Sequence, residues 1–465
     1  MKLTAIREKL AQLRVAPSKS LGQNFLHDQN LARWLVAQIN PQPGEHILEI
    51  GPGLGALTGH VLETGATVTV IEKDGRLAAH LRERFGAEIR ARKLEVIHGD
   101  AADFDVRTLW PWGPVKILGN LPYYITTPLL FRFTAPAAPT AWALFVMQRE
   151  LAERLAASPA ESKDYGILSL VVQRRWRVKY LRTLPAGVFT PAPKVESGAV
   201  LLTPRAPGEL APCDGATFER LVRRGFSQRR KQVGKLLAAE LPGNPWPPVA
   251  AQLGVSETAR AEEIHLKQWI ALANLVQPVV PGAAQDGAGE RFDIVDEANQ
   301  VIGNASRAEV HARGLRHRAM HLFVFNSAGE LFLQKRSPWK DRHPGKWDSS
   351  AAGHLDAGES YEAAAQRELR EELGLDIAAA GEAQLRAVGD LAEASEATGW
   401  EFIRLFAARS DGPFRWPPEE IEWGGFFPLE IIRAWIAARP EDFAPGFLEC
   451  WEFWQALPNG KPSPG

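Results

Sequence analysis

The chain has 465 residues, a formal net charge of −1, 45% hydrophobic and 23% charged residues; that length exceeds what one core serves and predicts two or three soluble domains. Its two cysteines, Cys213 and Cys450, lie far apart without Cys-x-x-Cys spacing, which excludes a disulfide framework or a thiolate zinc site. No stretch is apolar enough to span a bilayer and the start is charged throughout, so no signal peptide and a cytoplasmic enzyme are expected.

Charge is distributed unevenly. Residues 1–275 hold 35 Lys and Arg against 25 Asp and Glu, whereas the remainder holds 19 against 30. A basic half suits a polyanion and an acidic half suits cations or small molecules, so the two halves should have different partners. The Pro/Gly/Ala run 277–290 is the expected join.

In chain order, His46–Ile50, Val68–Glu72, Leu94–Gly99, Val115–Leu118 and Ala143–Met147 read as strands, separated by helical patterns such as Arg76–Phe85. Strands alternating with helices predict an α/β domain with a parallel sheet. Thr217–Leu237 is helical and basic, and Glu262–Leu275 is helical again, which suggests a small helical subdomain. Downstream, Met320–Asn326 and Glu330–Lys335 form a predicted hairpin over Ser327–Gly329, and Tyr361–Leu373 reads as a helix in an α+β context.

Two constellations carry chemistry. Glu49-Ile50-Gly51-Pro52-Gly53 follows a strand and opens a helix, where glycines let the backbone approach a cofactor. The spacing also fits the looser dinucleotide fingerprint, so the loop alone is weak evidence. Glu72, ending the next strand, suits the two hydroxyls of a ribose in either kind of cofactor. Asn120-Leu121-Pro122-Tyr123 breaks the tie. An adenine amine is a poor nucleophile because its lone pair is delocalised into the ring. The Asn120 amide and the carbonyl of Leu121 or Pro122 can hold its hydrogens and turn that lone pair toward a sulfonium methyl, while Tyr123 stacks on the splayed base.

These motifs, with Ser20-Leu21-Gly22-Gln23-Asn24-Phe25-Leu26, Gly99-Asp100-Ala101 and Phe189-Thr190-Pro191-Ala192-Pro193-Lys194-Val195, resemble the bacterial small-subunit rRNA adenine N6-dimethyltransferase family over about residues 10–275. The resemblance implies a Rossmann-like fold with a small helical C-terminal subdomain, and S-adenosylmethionine as cofactor. It also implies dimethylation of two adjacent adenines in a hairpin loop near the 3′ end of 16S rRNA, in small-subunit biogenesis. By position, Asn24, Leu26, Gly51, Gly53, Glu72, Asp100 and Asn120 would bind the cofactor, and Tyr123 and Phe189 would sandwich the target base. Tyr124 stands where many relatives have a smaller polar residue. RNA contact is expected from Arg174, Arg175, Arg177, Arg223, Arg224, Arg229, Arg230 and Lys231, whose charge neutralises phosphates without reading sequence. The competing reading is an RNA-binding factor without catalysis.

In Arg367-Glu368-Leu369-Arg370-Glu371-Glu372 the glutamates sit at i, i+3 and i+4, which on a helix gathers three carboxylates on one side. Such a cluster is costly unless a cation offsets it, and hard oxygen ligands suit Mg²⁺ or Mn²⁺ beside substrate phosphates. The full string from Gly353 through Glu359 and Arg367–Glu372 to Gly374-Leu375 resembles the Nudix hydrolase box, and flanking segments resemble members near the isopentenyl-diphosphate isomerase branch. The resemblance implies an α+β Nudix domain with Glu368, Glu371 and Glu372 on the metal and a small-molecule diphosphate as substrate; Glu422 is a further candidate acid. An isomerase of that branch uses a cysteine just upstream of the box, where Ser349 and Ser350 stand, so hydrolysis is preferred over isomerisation or a non-catalytic binding role. The expected division is 1–206 catalytic, 207–276 helical RNA-binding, 277–290 linker and 291–465 Nudix.

Overall fold

The computed structural model describes residues 3–15, 23–159, 164–206, 208–241, 243, 245–279, 289–340, 342–376, 385–391, 394 and 398–457. Ser20–Gly22 of the quoted motif and most of the expected linker lie outside the described residues. The chain divides into two compact units, one of Met1–Ala211 with Gly215–Val276, the other of Gln277–Gly465 with Pro212–Asp214.

The first unit is built on a seven-stranded sheet. We number its strands β1 (His46–Ile50), β2 (Thr67–Glu72), β3 (Leu94–His98), β4 (Val115–Asn120), β5 (Thr140–Gln148), β6 (Trp176–Leu184) and β7 (Ser197–Pro204). Their order is 3-2-1-4-5-7-6. Strands β1 to β5 pair in parallel, as the alternating pattern predicts, but β7 runs antiparallel to both neighbours. The reason is local: the connection 185–196 carries no α-helix, and a parallel return needs a long crossover.

Alternation along each strand feeds a core on both faces. Leu48, Ile50 and Ile117 pack with Leu129 and Phe133 on one side. Ile47, Val68 and Val70 pack with Leu31, Leu35, Leu57 and Val61 on the other. Beyond the sheet, the expected helix Thr217–Leu237 is broken into Gly215–Gly225 and Val233–Leu237. Gln232 is extended at the second helix's start, and the cationic run Arg229-Arg230-Lys231 occupies the turn between the two.

In the second unit a seven-stranded mixed sheet runs Trp347–Asp348, Leu331–Arg336, His317–Phe325, Glu401–Arg409, Arg386–Asp390, with Ala351–His354 and Ile421–Phe427 paired to its central strands. Met320, Leu322 and Val324 face the helix Tyr361–Leu373 and pack on Ala364, Ala365, Leu369 and Leu373. Phe323 and Phe325, out of phase with them, meet Phe447 and Trp454 of the helix Pro445–Ala456. Each such fully buried side chain stabilises the unit by about 1.5–3 kcal/mol. Tyr361–Leu373 has the predicted bounds because both ends are capped: Ser360 accepts from the Ala363 amide, and Gly374 takes a φ of 67°.

Candidate active sites

Strand order 3-2-1-4-5 reverses direction between β1 and β4, and open α/β sheets bind ligands outside such a switch point. A cavity lies there, lined by all seven residues expected to hold the cofactor: Asn24, Leu26, Gly51, Gly53, Glu72, Asp100 and Asn120. Ile50 pairs with Gly119, so Gly51 and Asn120 emerge side by side. Gly51 and Gly53 both adopt positive φ, which keeps the loop low over the strand ends. The Gly53 amide donates to Glu72 Oε2 at 3.0 Å and the Asp74 amide to Oε1 at 2.9 Å, aiming the Glu72 carboxylate into the cavity rim. Burial raises the Glu72 carboxyl above its ordinary range, and pushes its neighbour Glu49, which accepts from Thr58 at 2.6 Å, up to about 7.

Asn120 is oriented without ambiguity. Its Nδ2 donates to the Asn24 carbonyl at 3.0 Å, a group that can only accept, so Oδ1 is the atom left for a ligand. The Pro122 carbonyl already accepts from Thr126 Oγ1 and the Ile125 amide, which favours Leu121's as the second acceptor for an amine. Asp100 receives Lys73 Nζ on Oδ2 at 2.6 Å and the Ala102 amide on Oδ1, and the Lys73 contact holds its carboxyl below the usual range. Lys73 was not legible as a site residue; its signal is only its place one residue after Glu72.

The aromatic pair expected around the base is placed differently. Tyr123 turns its hydroxyl onto Ser197 Oγ at 2.7 Å and is not among the residues lining the cavity, whereas Tyr124 lines it and is 52% exposed. Phe189 pairs with Leu26 between two short strands and is buried in the apolar cluster beneath. The expected RNA contacts also divide. Arg177 is paired with Glu209, Arg174 lies over the Phe218 ring, Arg223 reaches Glu219, and Arg224 donates to the Leu236 carbonyl. Arg175 is partly buried just before β6, whereas Arg229, Arg230 and Lys231 stand exposed, with no acidic partner among the described residues.

The second site is a broad cleft in the other unit. Its floor is the helix Tyr361–Leu373, from which Glu368, Glu371 and Glu372 reach the cleft as their spacing requires. Arg367 organises them. It donates to both oxygens of Glu359, to Glu368 Oε1 at 2.7 Å, to Glu371 at 3.4 Å and to the His354 carbonyl at 3.0 Å. Glu372 Oε2 accepts from Gln334 and from the Ala352 amide. Burial pushes Glu368 up to about 7, with Arg367 opposing and Glu371 adding to it; burial, with Glu368 beside it, raises Glu372 well above its ordinary range. Two buried carboxylates that resist ionising in apposition are a donor set that suits a hard divalent cation.

Glu422, the further acid expected from sequence, pairs with Lys335 at 2.9 Å and is not in the cleft lining; Glu419 and Glu420 line it instead. A register shift between Lys335 and Arg336 displaces the alternation there by one position, a feature no sequence pattern reveals. Arg336, Lys340 and Arg342 share the same cleft with the acids. Ser350, where the isomerase branch has its reactive position nearby, is buried and spends its hydroxyl on the Phe332 carbonyl; Ser349 is buried against His321. Cys450 is fully buried, and burial pushes its thiol well above its ordinary range.

The first unit thus has the build of a class of enzyme that transfers a methyl group to an adenine amine, and the second that of a carboxylate-rich, metal-assisted site. The family model of ribosomal RNA adenine dimethylases matches residues 16–278, and that of the NUDIX domain matches residues 315–447. The chain belongs to the ribosomal RNA adenine dimethylase family and carries a NUDIX domain behind it. It is 43% identical over 279 residues to ribosomal RNA small subunit methyltransferase A of Paracoccus denitrificans, covering 58% of this chain and 95% of that one. With the protein of the same name from Aromatoleum aromaticum it shares 38% over 265 residues, 57% and 96% of the two chains. Among solved structures, the 23S rRNA methyltransferase ErmE is similar over 54% of this chain and 99% of its own, at 25% identity and a TM-score of 0.47. DR0079 from Deinococcus radiodurans is similar over 35% and 96%, at 33% identity and a TM-score of 0.31. Among the described residues no helix is long and apolar enough to cross a membrane.

Proposed function

We propose that the first unit dimethylates N6 of two adjacent adenines in a hairpin loop near the 3′ end of 16S rRNA during small-subunit biogenesis, using S-adenosylmethionine. Residues 1–206 would carry the chemistry and 207–276 would grip RNA through Arg229, Arg230 and Lys231. The observation that carries this reading is the fixed Asn120 amide at the switch-point cavity, one strand away from the glycine loop. The cradle fits the cofactor: Glu72 and Asp100 both line the cavity, carboxylates suited to ribose hydroxyls and an adenine amine. When bound, S-adenosylmethionine supplies an electrophilic methyl. Asn120 Oδ1 and the Leu121 carbonyl hold the amine hydrogens, and catalysis is mostly positioning. Tyr124 is the ring already presented to the cavity, so it joins Tyr123 as a candidate for the base stack.

For the NUDIX domain we infer divalent-metal-dependent hydrolysis of a diphosphate-linked small molecule. Glu368, Glu371 and Glu372 would hold Mg²⁺ or Mn²⁺, which neutralises phosphate charge and activates water. Arg336, Lys340 and Arg342 in the same cleft would take the phosphate oxygens.

Two experiments test these readings on the full chain. Asn120→Ala should abolish methyl transfer to small-subunit precursors while retaining RNA affinity; normal turnover would refute the assignment. Glu372→Gln should abolish Mg²⁺-dependent phosphate release from a panel of nucleoside diphosphate derivatives. Release that persists in that variant removes the glutamates from the mechanism, and silence of the wild type across the panel leaves the domain as a binding module.

A further inference from the structure

Two acids of the first cavity, Glu72 and Asp100, are held by different means. Glu72 is aimed by the backbone, since each of its oxygens accepts a main-chain amide, one from Gly53 and one from Asp74. Asp100 has one oxygen held that way, Oδ1 on the Ala102 amide at 2.9 Å. Its Oδ2 instead takes Lys73 Nζ at 2.6 Å, and that ammonium rides on a flexible four-carbon stem. Strand pairing sets the contact. Glu72 stands opposite His98 in the parallel pair β2–β3, and the Gly99 amide donates to the Glu72 carbonyl, so Lys73 and Asp100 leave the sheet side by side.

The same ammonium meets the ring presented to the target base. Tyr124, four residues past the end of β4, lines the cavity together with Lys73 and Asp100, and its phenol oxygen interacts with Lys73 Nζ. Asp100, and Tyr124 after it, raise the ammonium above its ordinary range, so Lys73 stays charged at any working pH. Asp100 is the more enclosed partner, at 23% exposure, whereas the lysine side chain is 48% exposed. An ion pair this open to water contributes little, so Asp100 can exchange Lys73 for another donor at small cost. An adenine amine is such a donor.

We propose that Lys73 is a positioning residue that makes RNA binding depend on cofactor binding: when Asp100 Oδ2 accepts an adenine amine, Lys73 is released to the cavity mouth beside Tyr124 and pairs with a phosphate of the RNA that carries the target adenine. The inference rests on the methyltransferase reading above. The phosphates flanking a splayed-out base are the anions that arrive at that mouth, and phosphate contacts position a substrate without reading its sequence. A lysine ammonium is a point charge on a long stem, which suits a phosphate whose place is set by other contacts. The exchange gives binding an order. Cofactor binding strengthens RNA binding and, by linkage, RNA strengthens cofactor binding by the same factor. The rival account is a fixed counter-ion, in which Lys73 neutralises Asp100 and stays on it in every state.

The test uses the full chain, S-adenosylhomocysteine as a cofactor that has no methyl to transfer, and an RNA hairpin with two adjacent adenines in its loop. RNA affinity is measured against salt with and without S-adenosylhomocysteine. In the wild type S-adenosylhomocysteine should steepen the slope of log affinity against log salt by about 0.7, one added phosphate contact on a single strand, and tighten RNA about fivefold at low salt. Lys73→Met should show one slope in both conditions, and Lys73→Arg should restore the difference. Calorimetry with S-adenosylhomocysteine alone is the second arm: Lys73→Met should bind it as tightly as the wild type or more tightly, because Asp100 no longer has a partner to give up. Lys73 is exposed, so these variants should fold, and thermal unfolding checks that they do. A wild-type slope that S-adenosylhomocysteine leaves unchanged overturns the inference and makes Lys73 a fixed counter-ion. A loss of about tenfold or more in S-adenosylhomocysteine affinity in Lys73→Met overturns it equally, since Lys73 would then be a direct cofactor contact. A wild type that binds no S-adenosylhomocysteine overturns the methyltransferase reading along with the coupling, whereas binding without a change of slope removes the coupling alone.

Discussion

Gly353 lets the glutamate helix approach the sheet, and adding one methyl group there tests the geometry of the cation site. A Cβ at position 353 would stand 2.0 Å from Glu368 Oε1, 2.3 Å from its Cδ and 2.9 Å from its Cγ. Ordinary contact between such atoms is about 3.5 Å, so the carboxylate must retreat by more than about 1 Å. The position has no left-handed φ, so backbone strain does not confuse the result. The retreat breaks the 2.7 Å contact with Arg367 and displaces a ligand that must be held to about 0.5 Å. Misplacement of that size costs about 100-fold in rate, and overpacking costs about 1–3 kcal/mol in stability. Gly353→Ala in the full chain should therefore bind Mn²⁺ at least about tenfold more weakly, measured by paramagnetic resonance of the free ion, and lose any diphosphate hydrolysis almost entirely. Wild-type Mn²⁺ affinity in a folded Gly353→Ala protein would refute the placement of Glu368 on the cation.

Three further outcomes are expected. Cation binding to the glutamate helix should strengthen as pH rises from 5 to 8, because Glu368 titrates near 7 and must lose its proton; calorimetry in two buffers reads the released protons. The sign for stability is opposite: the folded carboxyl is raised above its unfolded value of about 4.3, so the metal-free unit is favoured below that pH and loses stability as pH climbs through 7. A flat calorimetric profile contradicts both. Replacing Arg229, Arg230 and Lys231 together by alanine should lower the slope of log affinity for RNA against log salt by about 2–3 and leave S-adenosylmethionine binding unchanged; an unaltered slope removes the turn from the RNA footprint. Ser360→Ala, which deletes the cap on the Ala363 amide, should cost about 1 kcal/mol in thermal unfolding without changing Mn²⁺ affinity.

Both halves were legible where chemistry is local in sequence. The glycine loop, Asn120-Leu121-Pro122-Tyr123 and the glutamate helix each sit on one turn or one helix, so spacing alone predicts which side chains share a site. Residues gathered by strand pairing were not. His311, His317, His354 and Glu401 meet only because His317 and Glu401 open neighbouring parallel strands, and nothing in their separation along the chain announces it. Neighbouring residues are not told apart by sequence for a related reason. Tyr123 and Tyr124 point to different surroundings, and the sequence does not say which ring reaches the cavity. The same holds for Glu420 and Glu422, whose roles exchange across an irregular register. Charge alone does not rank the basic residues, and the fold spends Arg174, Arg177 and Arg224 on internal partners.

The contacts of Arg367 have a consequence for how the NUDIX domain lives with a fluctuating metal supply. One guanidinium already answers the charge of Glu359, Glu368 and Glu371 and ties them to the His354 carbonyl. The acidic helix therefore carries its own resident counter-ion and does not need an imported one to stay folded. If the cleft takes the divalent cation proposed above, its removal and return would switch competence rather than drive a cycle of collapse and repair, and the domain would wait, assembled, through scarcity.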